Sequence, residues 1–228
     1  MRLRDFNRFD RAFQSGVAAD LGAGRFPRNP FRAEHLVAVD FHAIDGDSPQ
    51  HLTRMTHDLA LGGIPFPDAT LDFIYAFDFL EHIARQVVLP GGQTRFPFIE
   101  LFQEIHRTLR PGGLLLAVTP AVPRLGAFVD PTHVNFVTRG TLDYFAGPCH
   151  ARALGYGYTG ALKVLWNDWI PSSHALWSSH DTARNREDLG QSPFIVSALG
   201  LLGAEKDRLL AKFSARKSQH LLWVVQRP

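Results

Sequence analysis

The chain has 228 residues, which is enough for one large domain and too few for two complete ones. Its 24 lysine and arginine residues nearly balance 22 aspartate and glutamate residues, so the bulk charge argues against nucleic acid as a partner. The single cysteine excludes a disulfide framework, and no apolar run approaches the ~20 residues of a membrane span, so we expect a cytoplasmic protein without a membrane anchor.

The first predicted strand begins at Val17 and runs through Asp20 into a turn that contains Gly22 and Gly24. Glycine lets the backbone adopt positive φ and lets a ligand approach it closely, which a nucleotide-like cofactor needs at the carboxyl end of a first parallel strand. A dinucleotide fingerprint continues to a third glycine, whereas Phe26-Pro27 follows here. The sequence therefore predicts an irregular first connection.

Apolar runs and one helical pattern alternate through the first half of the chain. Leu36 to Asp40, Leu71 to Phe77 and Leu114 to Thr119 read as buried parallel strands. Phe98 to Leu109 repeats apolar residues at helical spacing and is followed by Pro111-Gly112-Gly113. Such alternation predicts an α/β fold with a doubly wound, mostly parallel sheet and a cofactor-binding core at residues 17–119.

The second half predicts a cover over this core, at residues 120–216, and a last strand at 219–226. A further strand is expected within 158–169, and the last two strands read as an antiparallel pair at the sheet edge. A helix is expected at about 193–213. The polar stretch 172–191 is long for a connection inside a compact domain, and the sequence leaves open whether it is a lid or a disordered insertion.

Short motifs occur in a fixed order along the chain. They are Asp20–Gly24, Asp40, Asp58–Leu59, Ile64–Asp68, Leu71–Tyr75, Leu80–Ile83, Arg107–Gly113 and Asp130–Val134. This ordered set resembles the class I S-adenosylmethionine-dependent methyltransferases, in particular the type 11 group. The resemblance spans roughly residues 18–145, and the closing strand fits it too. It implies a single methyltransferase domain over 1–228, with a seven-stranded Rossmann-like sheet that carries an antiparallel edge strand.

The resemblance also implies that S-adenosyl-L-methionine is the cofactor, and it implies which residues bind it. These are Asp20, Gly22, Ala23, Gly24, Asp40, Phe41, Asp58, Leu59, Phe77 and Asp78. The glycine turn would line the methionine and ribose side, and Phe77 and Asp78 would face the methionine end. Asp40 would hold the ribose hydroxyls.

Adenine contacts are implied for three further residues. Phe41 would pack on the adenine ring, Asp58 would bind its amino group, and the Leu59 backbone would meet a ring nitrogen. Each carboxylate also has a structural interpretation. In that interpretation Asp20 is a helix or turn cap, Asp40 is a solvated strand end, and Asp58 is a loop carboxylate that makes a local side-chain turn.

Two histidines are candidate general bases, which the reaction needs only when the acceptor must lose a proton. His133 is the first, since it follows the fifth strand at the edge of the sheet that faces the substrate, and histidine suits proton transfer near pH 7. His82 is the second. A structural role is open for both, and no metal site is predicted.

The acceptor is predicted to be a small molecule methylated on oxygen or nitrogen. Aromatic residues of the second half would suit an apolar or planar acceptor, or would fill the core under the last strands; they are Phe145, Tyr156, Tyr158, Trp166, Trp169, Trp177 and Trp223. A macromolecular acceptor (glycan, tRNA or protein) and a non-catalytic binding subunit are the alternatives, and a homodimer is left open.

Overall fold

A computed structural model describes residues 15–44, 50–147, 149–170 and 220–228 of this chain. The polar stretch 172–191, the helix expected at 193–213 and Trp177 lie outside the described residues. In chain order the elements are β1 (Val17–Leu21), β2 (His35–Asp40), β3 (Leu52–Thr56), α1 (Leu59–Gly62), β4 (Leu71–Phe77), a 3-10 turn (Leu80–His82), β5 (Val87–Val88), β6 (Thr94–Arg95), α2 (Pro97–Thr108), β7 (Leu109–Pro120), α3 (Gly126–Val129), a second 3-10 turn (Arg139–Leu142), α4 (Asp143–Ala146), α5 (His150–Leu154), β8 (Lys163–Ile170) and β9 (His220–Gln226).

Seven strands form one sheet in the order β3-β2-β1-β4-β7-β9-β8, and β5 pairs with β6 in a separate hairpin. The pairings among β3, β2, β1, β4 and β7 are parallel, whereas β9 is antiparallel to both of its neighbours. The predicted α/β class, the mostly parallel seven-stranded sheet and the antiparallel pair at its edge are confirmed. The strand that runs against the others is β9, which lies one place inside the edge strand β8.

The central strand β4 is buried along its whole length, because layers cover both faces of the sheet. On one face, the Phe102 ring of α2 stacks on Phe145 at 3.8 Å between ring centres and contacts Trp223 of β9. On the other face, Phe31 packs against Phe73 and Tyr75 of β4. Phe31 belongs to the connection between β1 and β2, which contains no helix, as its Phe26-Pro27 sequence predicts.

The helix α2 begins with Pro97 in its first turn and ends at Thr108, whose hydroxyl donates to the Glu104 carbonyl oxygen at 2.8 Å. The next strand, β7, then starts directly at Leu109, five residues before the predicted Leu114. The Pro111-Gly112-Gly113 segment thus belongs to the irregular start of a strand, where the pairing with β4 shifts register.

Several short elements were not predicted from the sequence, and the strand β3 and the β5–β6 hairpin are two of them. The strand β3 has only two apolar residues, Leu52 and Met55, and of its residues only Leu52 is buried, which gives the weak apolar signal of an edge strand. The β5–β6 hairpin is only two residues long on each side. Among the described residues, no helix has the length and apolar character needed to span a bilayer. The single-domain organisation, the cytoplasmic location and the homodimer stay predictions.

Candidate functional site

A cavity of about 490 Å³ opens at the carboxyl ends of β1, β2 and β4. It brings together six of the ten predicted cofactor residues and one predicted base. Its lining includes Gly22, Asp40, Phe41, Asp58, Leu59, Asp78 and His82. A smaller cavity of about 160 Å³ shares Asp40 and is lined by Ala23 and Gly24.

The glycine turn after β1 has a conformation that depends on the absence of side chains. Gly22 has φ +68°, and a Cβ atom built on it would lie 2.5 Å from Cδ2 of Phe79. Its amide donates to the Val39 carbonyl oxygen at 2.8 Å, which ties the turn to β2. Gly24 also has positive φ, at +56°, but no atom lies within 4 Å of the point that a Cβ atom would occupy there. Only Gly22 is therefore constrained by both backbone conformation and space.

Asp40 stands at the tip of β2 with a fixed carboxylate. The Gly24 amide donates to Oδ2 and the His42 amide donates to Oδ1, both at 2.9 Å. Phe41 is 64% exposed next to it, and its ring lies 3.8 Å from the His42 ring. The side chain of Asp40 is thus oriented by two backbone amides, and an exposed aromatic face stands beside it.

Asp58 caps the short helix α1, since its Oδ1 accepts from the Ala60 amide at 3.0 Å. This is the local side-chain turn that the sequence left open as the alternative to adenine binding. Asp58 also lines the cavity, beside Leu59, so capping the helix does not remove it from the site.

Asp20 and Phe77 lie behind the cavity rather than on its wall. Asp20 is 1% exposed, and its Oδ2 accepts from the Arg28 amide at 2.7 Å, which anchors the connection between β1 and β2. Burial raises the pKa of Asp20 to about 7, although the Arg28 amide and charge favour the ionised form. Phe77 is 2% exposed, with the Arg28 guanidinium 4.7 Å from its ring centre. The cofactor contacts assigned to Asp20 and Phe77 stay predictions.

Asp78 follows β4 with φ +50°, a left-handed conformation that is costly for a residue with a side chain. Its amide donates to the Val118 carbonyl oxygen at 2.8 Å. Its Oδ1 lies 3.2 Å from Nε2 of His220, at the start of β9. The strained residue therefore joins the cavity to the two strands on its far side.

His82 is exposed on the 3-10 turn after β4 and lines the cavity, and its protonation pattern follows from its neighbours. Its Nδ1 lies 3.1 Å from Oγ1 of Thr132, which in turn lies 2.6 Å from Oδ1 of Asp130. Hydrogen bonds from Thr132 lower the pKa of Asp130, so this carboxylate accepts the only hydroxyl proton of Thr132. In the neutral ring Nδ1 of His82 then donates, which leaves the lone pair on Nε2.

His133 lies behind His82, with the two ring centres 5.0 Å apart. Its side chain is 8% exposed, and it is absent from the cavity lining. Nδ1 donates to the Ala127 carbonyl oxygen at 3.1 Å, since a carbonyl only accepts. Nε2 therefore keeps its lone pair in the neutral ring, and it lies 3.9 Å from Oε1 of Glu81 and 4.0 Å from Oδ2 of Asp130.

Glu81 is the site residue that sequence reasoning missed. It is 1% exposed, and burial raises its pKa to about 8. Oε2 accepts from the Thr119 hydroxyl at 3.0 Å, whereas Oε1 is buried without a hydrogen-bond partner. The Glu81 carbonyl oxygen accepts from the amides of Val134 and Asn135, which locks the 3-10 turn to the segment that carries His133. The sequence feature that could have identified Glu81 is its position between Leu80 and His82, shortly after a buried strand.

Of the aromatic residues predicted as a substrate cover, those that the structure describes do not line the 490 Å³ cavity. Trp223, Phe145 and Tyr158 are at most 2% exposed and belong to the core. Trp166 and Trp169 pack against the core from β8. Tyr156 lines a separate cavity of about 350 Å³ between α2 and α4. The structural interpretation is therefore correct for Trp223, Phe145 and Tyr158.

The comparison with protein families gives a match over residues 20–117, to the family described as a methyltransferase domain. No curated protein matches the sequence. The matched segment contains the glycine turn, Asp40, Asp58 and the 3-10 turn with Glu81 and His82, and it ends before His133.

Solved structures share the fold at low sequence identity. A methyltransferase in complex with the Trm112 methyltransferase activator of Haloferax volcanii has a TM-score of 0.54 and 15% identity, over 97% of this chain and 88% of that one. Phosphoethanolamine N-methyltransferase 2 of Haemonchus contortus, with phosphomonomethylethanolamine and S-adenosylhomocysteine, has a TM-score of 0.52 and 15% identity, over 99% and 52%. The [4+2]-cyclase SpnF has a TM-score of 0.50 and 14% identity, over 99% and 81%.

Proposed function

We propose that this chain, which is a class I S-adenosylmethionine-dependent methyltransferase, transfers a methyl group to an oxygen or nitrogen atom of a small molecule. The observation that carries the proposal is the gathering of six predicted cofactor residues around one cavity. Its volume of about 490 Å³ lies within the range of small-molecule sites, roughly 300–1,000 Å³.

The residues at the cavity fit the cofactor in shape and chemistry. At Gly24 no atom lies within 4 Å of the point that a Cβ atom would occupy, so a ligand can approach the backbone of the turn there. The Asp40 carboxylate is held by two amides, and since a carboxylate has about four acceptor sites, it keeps capacity for the ribose hydroxyls. The exposed ring of Phe41 offers a face for adenine, next to Asp58 and Leu59.

The bound cofactor supplies a methyl group that its sulfonium already activates, so the main task of the chain is to position the acceptor in line. Where the acceptor is a hydroxyl, we propose that His82 takes its proton. The free lone pair on Nε2 and the exposed position on the cavity wall support His82. His133 is the first candidate from the sequence, but its buried place behind His82 disfavours direct contact with an acceptor.

The acceptor class is tested by methyl transfer from cofactor with a labelled methyl group into a cell extract separated by size. The proposal expects label in the small-molecule fraction with the wild-type protein and none with Asp40→Ala. Label confined to the macromolecular fraction would overturn the small-molecule acceptor. An absence of label in every fraction, with intact cofactor binding, would favour a binding subunit.

A further inference from the structure

Three potential metal ligands meet beside the cofactor cavity, where two segments about 50 residues apart are joined. Glu81 and His82 come from the 3-10 turn after β4, and His133 comes from the segment after β7. One donor atom from each of the three lies within 4.8 Å of the other two. Two donors bound at ~2.1 Å to one ion lie at most ~4.2 Å apart, so the 3.9 Å between Glu81 Oε1 and His133 Nε2 already satisfies that limit.

The histidine rings are oriented as metal ligands are. A ligating histidine almost always donates its second ring N–H to a carbonyl, a carboxylate or another acceptor, which fixes the ring and leaves the other nitrogen for the ion. His133 donates from Nδ1 to the Ala127 carbonyl oxygen, and His82 donates from Nδ1 to the Thr132 hydroxyl. Thr132 is itself held by Asp130, so the orienting contact of His82 has its own support.

Glu81 supplies an independent observation, because a buried carboxylate oxygen without a partner is costly. Its Oε2 is fixed by the Thr119 hydroxyl, and Oε1 is left without a hydrogen bond on the side of His133. The distance of 3.9 Å to Nε2 of His133 is too long for a hydrogen bond. When Glu81 is ionised, both atoms offer lone pairs to the space between them, and a cation that displaces the carboxyl proton satisfies both.

We propose that Glu81, His82 and His133 bind a divalent transition-metal ion, with Zn²⁺ as the best match. Two imidazoles and one carboxylate form a ligand set of catalytic zinc sites, which keep a further position open for water or substrate. His82 is exposed at the cavity wall, so an ion held by it would be accessible from the cavity. Asp130 Oδ2, 4.0 Å from His133 Nε2, adds a second negative charge to the site.

This inference goes beyond methyl transfer, although its consequence for the reaction rests on the proposed function. The ion and a proton compete for the same lone pair of His82. A bound ion would therefore replace His82 as the group that activates a hydroxyl acceptor, because an oxygen bound to a metal ion loses its proton more readily.

The test is calorimetric titration of tag-free, chelator-treated full-length protein with Zn²⁺, supported by the visible absorption spectrum with Co²⁺. We expect one ion per chain. His82→Ala and Glu81→Gln should each weaken binding by roughly 100-fold or more, since even outer-shell partners of a metal cost about 10- to 100-fold. His35→Ala is the matched control, because it removes an exposed histidine at the start of β2, whereas the cavity lies at the other end of that strand, beside Asp40.

Three outcomes would overturn the proposal. They are no saturable binding to the wild type, unchanged affinity in His82→Ala and Glu81→Gln, and an equal loss of affinity in the control His35→Ala. His82→Ala changes an exposed residue, so its fold should survive where that of Glu81→Gln does not, and circular dichroism checks both. S-adenosylhomocysteine is titrated into the same samples. If the protein binds Zn²⁺ but not S-adenosylhomocysteine, the metal site stands and the methyltransferase function is overturned. If it binds S-adenosylhomocysteine but not Zn²⁺, the methyltransferase function stands and the metal site is overturned.

Discussion

Two groups of residues at the proposed cofactor site, which we call the aspartate wall and the histidine wall, are built on different principles. The aspartate wall, formed by Gly22, Gly24 and Asp40, is held by backbone amides that donate to both carboxylate oxygens. The histidine wall, formed by His82 on the cavity surface with Glu81 and His133 behind it, keeps two Nε2 lone pairs and one buried oxygen free of hydrogen bonds within the described residues. The aspartate wall thus presents a fixed polar surface for binding, while the histidine wall retains groups that can take up a proton or an ion.

The largest effect that separates the two walls is expected from His82→Ala, assayed with the identified hydroxyl acceptor in the presence of a chelator. Loss of a general base costs roughly 10²- to 10⁴-fold in kcat. The affinity for S-adenosylhomocysteine should stay unchanged, because the aspartate wall is intact. His133→Ala is the matched variant and should change kcat much less, since His133 does not line the cavity. Equal losses in both variants would contradict this division of roles.

The aspartate wall is probed by Gly22→Ala against Gly24→Ala. Both residues have positive φ, so both variants carry a backbone cost of about 1–3 kcal/mol in the free energy of unfolding. Only Gly22→Ala also forces a Cβ atom to within 2.5 Å of Phe79. We expect it to be the less stable variant in urea unfolding and to lose more affinity for S-adenosylhomocysteine. If the two variants behave alike, the Phe79 contact does not shape the turn.

A smaller, pH-dependent effect is expected from Asp20→Asn, which tests the support behind the aspartate wall. Between about pH 4 and pH 7 the folded protein keeps the Asp20 proton, whereas the unfolded chain has lost it. The folded state then binds more protons, so this residue makes the free energy of unfolding fall as the pH rises through that window, on the order of a few kcal/mol.

The measurement for this effect is a series of urea unfolding curves from pH 4 to pH 8 for the wild type and Asp20→Asn. Asparagine does not titrate, and its Oδ1 can still accept from the Arg28 amide. The variant should therefore gain stability relative to the wild type as the pH rises. A difference that is independent of pH would show that burial does not hold a proton on Asp20.

The two walls also differ in how far the sequence predicts them. Gly22, Gly24 and Asp40 lie within 19 consecutive residues and at the ends of adjacent strands, so their spacing alone brings them together. Glu81 and His133 are about 50 residues apart, and their contact depends on the order of β4 and β7 in the sheet. The amides of Val134 and Asn135 that close this contact leave no pattern in the sequence. No metal site was predicted for that reason.

The fold shows the same division. The buried strands β1, β2 and β4 and the helix α2 carry strong apolar patterns, which is why their positions were predicted closely. The edge strand β3 and the start of β7 depend on pairing with a neighbour rather than on apolar residues of their own. The aromatic residues Phe145 and Tyr158 were candidates for a substrate cover, but they are buried in the core. The sequence could not separate the two roles, because a ring in the core and a ring in a binding site give the same pattern.

The central claim is that the aspartate wall binds S-adenosylmethionine, and calorimetric titration of S-adenosylhomocysteine into the wild type and Asp40→Ala tests it most directly. Hydrogen bonds to a charged group contribute about 1.5–3 kcal/mol each, so losing two of them should weaken binding by roughly 100-fold or more. The account predicts saturable binding at one ligand per chain in the wild type and this loss in Asp40→Ala. No binding to the wild type, or equal affinity in the two proteins, would contradict it.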